Sequence, residues 1–177
     1  MTHVGTAYQP SSARYYLNAL NALPPDLAER FETWFIGRVT DQERAYLNEP
    51  RRSQVKQFGF MSQDRALKLI EETDYLLVTM TDPVTVPGKV YEYLATGKPI
   101  VAFSPPGGDL SRLLTETDGG WCVDPNDHES ACQVLQLAAM QVHDCAEPLV
   151  VSNHEAIRKF DRESLTGEYA RLVRELS

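Results

Sequence analysis

A lysine and a glutamate at the start of one predicted helix are the residues best suited to binding a ligand. Lys89 and Glu92 are three residues apart, so they share one helix face, and Pro87 and Gly88 precede them. A helix start presents unpaired backbone N–H groups and the positive end of the helix dipole, which together favour a phosphate. Lys89 would add a positive charge there, and the two oxygens of the Glu92 carboxylate suit a vicinal diol.

The same pair has a simpler interpretation as a solvent-exposed ion pair. Such a pair stabilises a helix by roughly 0.2–0.5 kcal/mol and needs no ligand. Proline suits the first helical position, which we expect Pro87 to occupy, and Gly88 would let a ligand approach the backbone closely. The opposite face of the helix carries Val90, Tyr93 and Leu94 and suits packing on a sheet. The spacing alone does not decide between the two interpretations.

The chain alternates short apolar runs with amphipathic stretches, which predicts an α/β fold with a doubly wound, mostly parallel sheet. We predict six strands, at His3–Tyr8, Thr33–Val39, Val55–Met61, Tyr75–Met80, Pro99–Phe103 and Trp121–Val123. Helices are predicted at Ala13–Leu23, Asp41–Leu47, Gln63–Glu72, Pro87–Thr96, Leu110–Glu116, Glu129–Val142 and across the final apolar-striped stretch His154–Leu176. Ligands of such sheets bind beyond the carboxyl ends of the strands, where the helix of Lys89 begins.

Length and charge limit the classes of protein to which this chain can belong. A chain of 177 residues suits one domain, and its net charge of −8 argues against a nucleic acid or an anionic membrane as the main partner. No apolar run approaches the roughly 20 residues of a membrane span, and no export signal opens the chain. Met1 directly precedes the first predicted strand, which we interpret as a start inside a longer protein.

The cysteines and histidines do not have the spacing of metal ligands. The odd number of cysteines indicates reduced thiols and a cytoplasmic location; they are Cys122, Cys132 and Cys145. We expect the four histidines to be surface or capping residues; they are His3, His128, His143 and His154.

One long segment carries a family resemblance. Residues 87–102 read PGKVYEYLATGKPIVA and resemble the hallmark block of the retaining GT-B glycosyltransferases of group 1, which make bacterial capsule, lipopolysaccharide and exopolysaccharide. Other similar segments follow in the family's order: Val4-Gly5-Thr6, Phe35-Ile36-Gly37, Phe58-Gly59-Phe60-Met61, Gly107-Gly108-Asp109, Asp118-Gly119-Gly120-Trp121 and Asp124-Pro125-Asn126-Asp127. The resemblance implies that residues 1–177 form a Rossmann-like, donor-binding C-terminal domain, and that the N-terminal acceptor domain lies outside this chain.

The resemblance also implies a role for individual residues. Glu92 matches the glutamate that holds the ribose of the donor, and the loop with Phe60 and Met61 matches the edge that reads the base. Two backbone segments match the diphosphate-binding turns; they are Gly5-Thr6 and Pro87-Gly88-Lys89-Val90. Lys89 is then the candidate for stabilising the leaving diphosphate.

Two positions depart from the family's pattern. Many relatives carry a second glutamate eight positions before the ribose glutamate, where this chain has Val84, so its contacts to the donor sugar differ. Many also carry an arginine and a lysine in and after the first loop, where this chain has Thr6 and the Ser11-Ser12 pair. The residues that could replace those charges are Arg14, Arg38 and Lys89.

The function implied by the resemblance is transfer of a glycosyl group from a UDP- or GDP-sugar, without a bound metal or other cofactor, to a glycan or lipid-linked acceptor. The isolated half is expected to be inactive, and any membrane contact would involve the other half. Two alternatives share the fold: a GT-B nucleotide-sugar epimerase and a catalytically degenerate partner subunit. A third is a receiver-like signalling domain, although the acidic residues of such a domain are missing after the first and third strands. A nicotinamide-binding domain fits less well, because no glycine-rich fingerprint follows the first strand.

Overall fold

The computed structural model describes residues 1–144 and 152–175, which form one parallel sheet covered by helices on both faces. The six strands are β1 (Thr2–Val4), β2 (Glu32–Ile36), β3 (Gln54–Gly59), β4 (Leu76–Thr79), β5 (Ile100–Phe103) and β6 (Gly120–Val123). Their order is β3-β2-β1-β4-β5-β6, and every pairing is parallel. The predicted doubly wound α/β fold is therefore confirmed.

This strand order distinguishes between the candidate folds. It is the order of a Rossmann-like sheet, whereas receiver-like signalling domains have the order 2-1-3-4-5. The receiver-like alternative is therefore wrong. The chain reverses direction across the sheet between β1 and β4, and these strands pair only at Thr2 and Leu76. Such a switch point is where open α/β sheets bind ligands.

Nine α-helices connect or follow the strands within the described residues. They are α1 (Arg14–Ala22), α2 (Pro25–Ala28), α3 (Asp41–Leu47), α4 (Gln63–Glu71), α5 (Lys89–Ala95), α6 (Asp109–Glu116), α7 (His128–Asp144), α8 (His154–Arg158) and α9 (Arg162–Glu175). One core lies between the sheet and α1 and α7, around Tyr16, Phe103 and Leu135. The second lies under α4, α5 and α6, where Val90, Tyr93 and Leu94 are buried as predicted.

The first two strands end earlier than predicted because glycine turns the backbone there. Gly5 and Gly37 adopt φ of 122° and 125°, a region that residues with a side chain rarely enter. β1 therefore stops at Val4 and β2 at Ile36, and the next residues form loops. The predicted site residues Gly5, Thr6 and Arg38 belong to these loops at the carboxyl edge of the sheet.

Three helical predictions need correction. Gly88 caps α5, which begins at Lys89, so Pro87 precedes the helix instead of opening it. Helix α2 was not predicted; it begins at Pro25, and proline fits the first position of a helix. The final stretch forms two helices, α8 and α9, with a break between Arg158 and Arg162.

The last helix keeps an apolar stripe exposed. Side chains on α9 that face solvent include Leu165, Tyr169 and Leu172. Leu176, which we included in the predicted stripe, and Cys145 lie outside the described residues. Among the described helices, none is long and apolar enough to cross a membrane.

Candidate functional site

A cleft of about 360 Å³ opens at the carboxyl ends of β1, β2 and β3. Its size falls in the usual range for small-molecule sites. Apolar side chains of α4 form one wall, and the loop after β3 and one face of α5 form the rim; the lining residues are Val4, Gly5, Ile36, Gly37, Phe60, Met61, Gln63, Ala66, Leu67, Ile70 and Glu92. A second hollow, of about 230 Å³, lies at the opposite, amino end of the strands.

The cleft brings together four of the residues singled out from the sequence. Gly5 contributes from the loop after β1, Phe60 and Met61 from the loop after β3, and Glu92 from the first turn of α5. The Phe60 ring is 84% exposed, which is unusual for an aromatic side chain beside an apolar hollow. An exposed ring at the lip of an apolar cleft can stack against a flat ligand group.

Two glycines let the loops after β1 and β2 approach each other closely. A Cβ on Gly37 would lie 2.3 Å from the carbonyl oxygen of Gly5, which no side chain could tolerate. The N–H of Gly5 donates to the carbonyl of Ile36, and the N–H of Gly37 donates to Gly59. Both glycines are thus needed to close this part of the cleft.

The ammonium group of Lys89 lies on the ring of His3. Lys89 Nζ is 3.2 Å from His3 Nε2 and 3.4 Å from Nδ1, although the residues are 86 positions apart. A Cβ on Gly5 would lie 3.6 Å from Nζ, so the ammonium is next to the loop after β1. Lys89 therefore contacts His3 and not Glu92, and the interpretation of Lys89 and Glu92 as an ion pair is wrong.

Burial sets the protonation states of both groups. The His3 side chain is buried, and this burial, together with the charge of Lys89, holds the imidazole pKa well below 6.5. His3 Nδ1 lies 3.2 Å from the carbonyl oxygen of Leu77, which requires a proton on Nδ1 and leaves Nε2 unprotonated in the neutral ring. Burial also lowers the pKa of Lys89 to about 7.

Our expectation for the histidines is wrong for His3. Its ring lies between β1 and β4, stacks at a tilt on Phe35 and is 1% exposed. His128 and His154 are exposed, as expected. Within the described residues, no group of three or more His, Cys, Asp or Glu side chains could hold a metal ion.

A second contact ties α5 to β1. The N–H of Val4 donates to the hydroxyl of Tyr93 at 2.7 Å, and the Tyr93 side chain is buried. Because β1 and β4 pair only at Thr2 and Leu76, the tyrosine occupies an N–H that the sheet leaves unpaired. Tyr93 and Lys89 together fix the start of α5 beside the loop after β1.

The remaining predicted residues lie near the cleft but do not line it. Thr6 and Arg38 are exposed in the loops after β1 and β2, and the Arg14 guanidinium is bound to the hydroxyl of Tyr15. Val90 is buried, and its N–H donates to the carbonyl of Pro87, so that N–H is not free for an anion. The Val90 N–H is thus engaged within the turn, and a diphosphate contact from the backbone of Val90 stays a prediction.

The loops after β1, β4 and β5 hold one another in place. The N–H of Thr81 donates to the carbonyl of Pro10, and the N–H of Asp109 donates to the carbonyl of Pro83. Asp82 accepts from the hydroxyl of Thr85 and the N–H of Val84, and these bonds lower the pKa of its carboxyl group. Val84 itself is 72% exposed at the tip of the loop.

Sequence reasoning missed several residues of the site. His3 looked like an isolated histidine, and its neighbours were hidden because Lys89 and Leu77 are distant in the chain. The α4 wall was missed because Ala66, Leu67 and Ile70 fit an ordinary helix face. One feature of the sequence indicated His3. It is an ionisable residue within the first predicted strand, and the pattern of a parallel sheet predicts that this strand is buried.

The chain is similar in sequence to known glycosyltransferases. A profile described as "Glycosyl transferases group 1" matches residues 1–140. The probable glycosyltransferase WbjE of Pseudomonas aeruginosa is 30% identical over 123 residues, which are 67% of this chain and 31% of WbjE. The chain thus spans about a third of that relative.

Solved structures share the fold. HepE of Anabaena in complex with UDP has a TM-score of 0.75 and 17% identity, covering 98% of this chain and 48% of HepE. The lipopolysaccharide outer core galactosyltransferase WaaB has a TM-score of 0.66 and 15% identity, covering 99% of this chain and 49% of WaaB. The chain therefore corresponds to about half of each of these proteins. Since the family profile covers most of the chain, the protein belongs to the group 1 glycosyl transferases.

Proposed function

We propose that the cleft binds the nucleoside diphosphate part of a sugar nucleotide, and that the chain is the donor-binding half of a glycosyltransferase. The observation that carries the proposal is the position of Lys89, whose ammonium group lies beside Gly5 at the switch point of the sheet. Glu92 lies on the rim of the adjoining cleft. A cation and a diol-binding carboxylate at this edge match the two polar parts of a nucleotide.

The base is expected to bind against Phe60 and Met61. These side chains and Ile36, Ala66 and Leu67 give the cleft a largely apolar surface, which suits the faces of a nucleobase. HepE has been crystallised with UDP and with UDP-glucose. We therefore propose a uridine nucleotide as the first donor to test, with a GDP-sugar as the alternative.

The diphosphate is expected to bind at Lys89. Breaking the bond between sugar and diphosphate leaves negative charge on the phosphate oxygens, and a fixed cation in a partly dry site stabilises that charge. The N–H groups of Gly88 and Lys89 at the start of α5 can contribute further donors. We propose that these groups act without a bound metal, with retention of configuration at the sugar.

Transfer requires a second domain. The chain spans about half of HepE and WaaB, so we propose that the acceptor binds to an N-terminal domain outside this chain. The exposed position of Val84 leaves the contacts to the donor sugar to other residues. A GT-B epimerase or a degenerate partner subunit would bind the same nucleotide. Nucleotide binding is therefore the part of the proposed function to test first.

Calorimetric titration with UDP, GDP and ADP tests it. UDP should bind to the wild-type chain in the presence of EDTA as well as Mg²⁺, and Glu92→Gln should weaken binding by about tenfold or more, since a hydrogen bond to a charged group contributes roughly 1.5–3 kcal/mol. Glu116→Gln is the matched control, because Glu116 lies on α6 and pairs with Lys159. Equal affinity of wild type and Glu92→Gln for UDP, or no binding of any nucleotide, would contradict the proposal.

A further inference from the structure

We infer that His3 is a positioning residue that holds the ammonium group of Lys89 at the diphosphate end of the cleft. The effect on diphosphate binding rests on the proposed function, whereas the contact between His3 and Lys89 is present in the protein without ligand. His3 does not reach the cleft, because its ring is buried between β1 and β4. It would therefore act only through Lys89.

The geometry of the imidazole defines this role. The carbonyl of Leu77 accepts from His3 Nδ1–H at 3.2 Å, which fixes both the ring orientation and the tautomer. Lys89 Nζ is 3.2 Å from Nε2 and 3.4 Å from Nδ1, and this near-equal spacing puts the ammonium group against the face of the neutral ring, off the axis of the Nε2 lone pair. The bond to Leu77 thus fixes an aromatic face under the ammonium group and leaves the protons of that group for a phosphate.

The surroundings explain why a lysine needs this support. A lysine side chain has four rotatable bonds, so ordering it costs conformational entropy. Phe35 packs against the His3 ring, and Gly5 offers no side chain to hold the ammonium. A ring that is already fixed confines Lys89 before the ligand arrives, so less freedom is lost on binding.

Few other titratable groups surround the pair. Glu92 on α5 lies at the rim of the cleft, and Tyr93 on α5 has its hydroxyl on the Val4 N–H. The neighbouring residues of β2 and β4 that contact His3 are Phe35 and Leu77, which carry no charge. A change in the titration of Lys89 after substitution of His3 is therefore a direct readout of the contact.

Two substitutions separate the aromatic face from simple burial. Both lose the bond to Leu77, but His3→Phe keeps a ring face for the ammonium group, whereas His3→Leu replaces it with an aliphatic side chain. We expect His3→Leu to weaken UDP binding by roughly threefold or more, since the ring face under the cation is lost, and His3→Phe to keep most of the affinity. Lys89→Met should abolish the difference between the two variants.

The decisive measurement is the pKa of Lys89 by NMR of the labelled lysine side chain, in wild type, His3→Phe and His3→Leu without ligand, followed by UDP titration of each. Thermal unfolding checks that each variant is folded. The inference predicts that the Lys89 pKa falls in His3→Leu and stays closer to wild type in His3→Phe, with parallel changes in UDP affinity, because the ring face favours the charged form. An unchanged Lys89 pKa in His3→Leu would overturn it. If the Lys89 pKa responds but no variant, nor wild type, binds UDP, the proposed function fails and the contact stands.

Discussion

Val4 and Tyr93 are joined by a hydrogen bond across 89 residues, in which the backbone N–H of Val4 donates to the phenol oxygen at 2.7 Å. The bond links the end of β1 to the middle of α5. The same helix carries Lys89 and Glu92 on its first turn. The positions of the two proposed ligand-binding residues therefore depend on a contact that neither of them makes.

Tyr93→Phe should destabilise the fold by about 1–3 kcal/mol, because it leaves the N–H of Val4 without a partner in a part-buried site. Urea unfolding measures the loss. The control is Tyr91→Phe on the same helix, where the ring is partly exposed and packs on Phe160. Equal stability of Tyr93→Phe and wild type would show that this bond does not hold the helix in place.

Lys89→Ala should weaken binding of UDP far more than binding of uridine, because the proposed contact is to phosphate. Loss of a charged hydrogen bond predicts a decrease in UDP affinity of roughly tenfold to a hundredfold. Calorimetry with both ligands compares them, and Lys68→Ala on the exposed side of α4 serves as the charge-matched control. Parallel losses for nucleoside and diphosphate would place the phosphate elsewhere.

The affinity for UDP should fall as the pH rises above neutrality. Lys89 has a pKa of about 7 in the free protein, so it loses its charge above that pH, whereas bound diphosphate would favour the charged form and raise the pKa. Binding at about pH 8 should then take up a proton, which calorimetry in buffers of different ionisation enthalpy detects. Lys89→Met should remove this dependence. Affinity that stays constant above neutral pH in wild type would contradict a titrating Lys89.

The neutral form of His3 predicts a loss of stability in acid. Its pKa in the folded chain lies below the ordinary value of 6.5, so below pH 6.5 the unfolded state binds more protons than the folded state. The contribution is fully present above pH 6.5 and is lost as the pH falls through the folded pKa. His3→Gln should flatten this part of the stability curve in urea unfolding, and a curve identical to wild type would contradict a buried neutral imidazole.

The strands and helices were predictable because each buries one face. The resulting spacing of apolar residues can be recognised within a short stretch of sequence. The helix face that Lys89 and Glu92 share was predictable for the same reason, but their proposed roles came from the family resemblance. The contacts that fix them were not, because His3 and Tyr93 act across the switch point between β1 and β4. The ends of β1 and β2 were also not predictable from the spacing of apolar residues, because the backbone turns at Gly5 and Gly37 terminate these strands.

The central claim is that the cleft between α4, α5 and the ends of β1 to β3 holds a nucleotide with its diphosphate on Lys89. A crystal structure of the chain grown with UDP tests this most directly. The account predicts the base against Phe60 and Met61, the ribose hydroxyls on Glu92 and the diphosphate within hydrogen-bond distance of Lys89 Nζ. UDP bound at any other place on the chain, or in this cleft with its diphosphate away from Lys89, would contradict it.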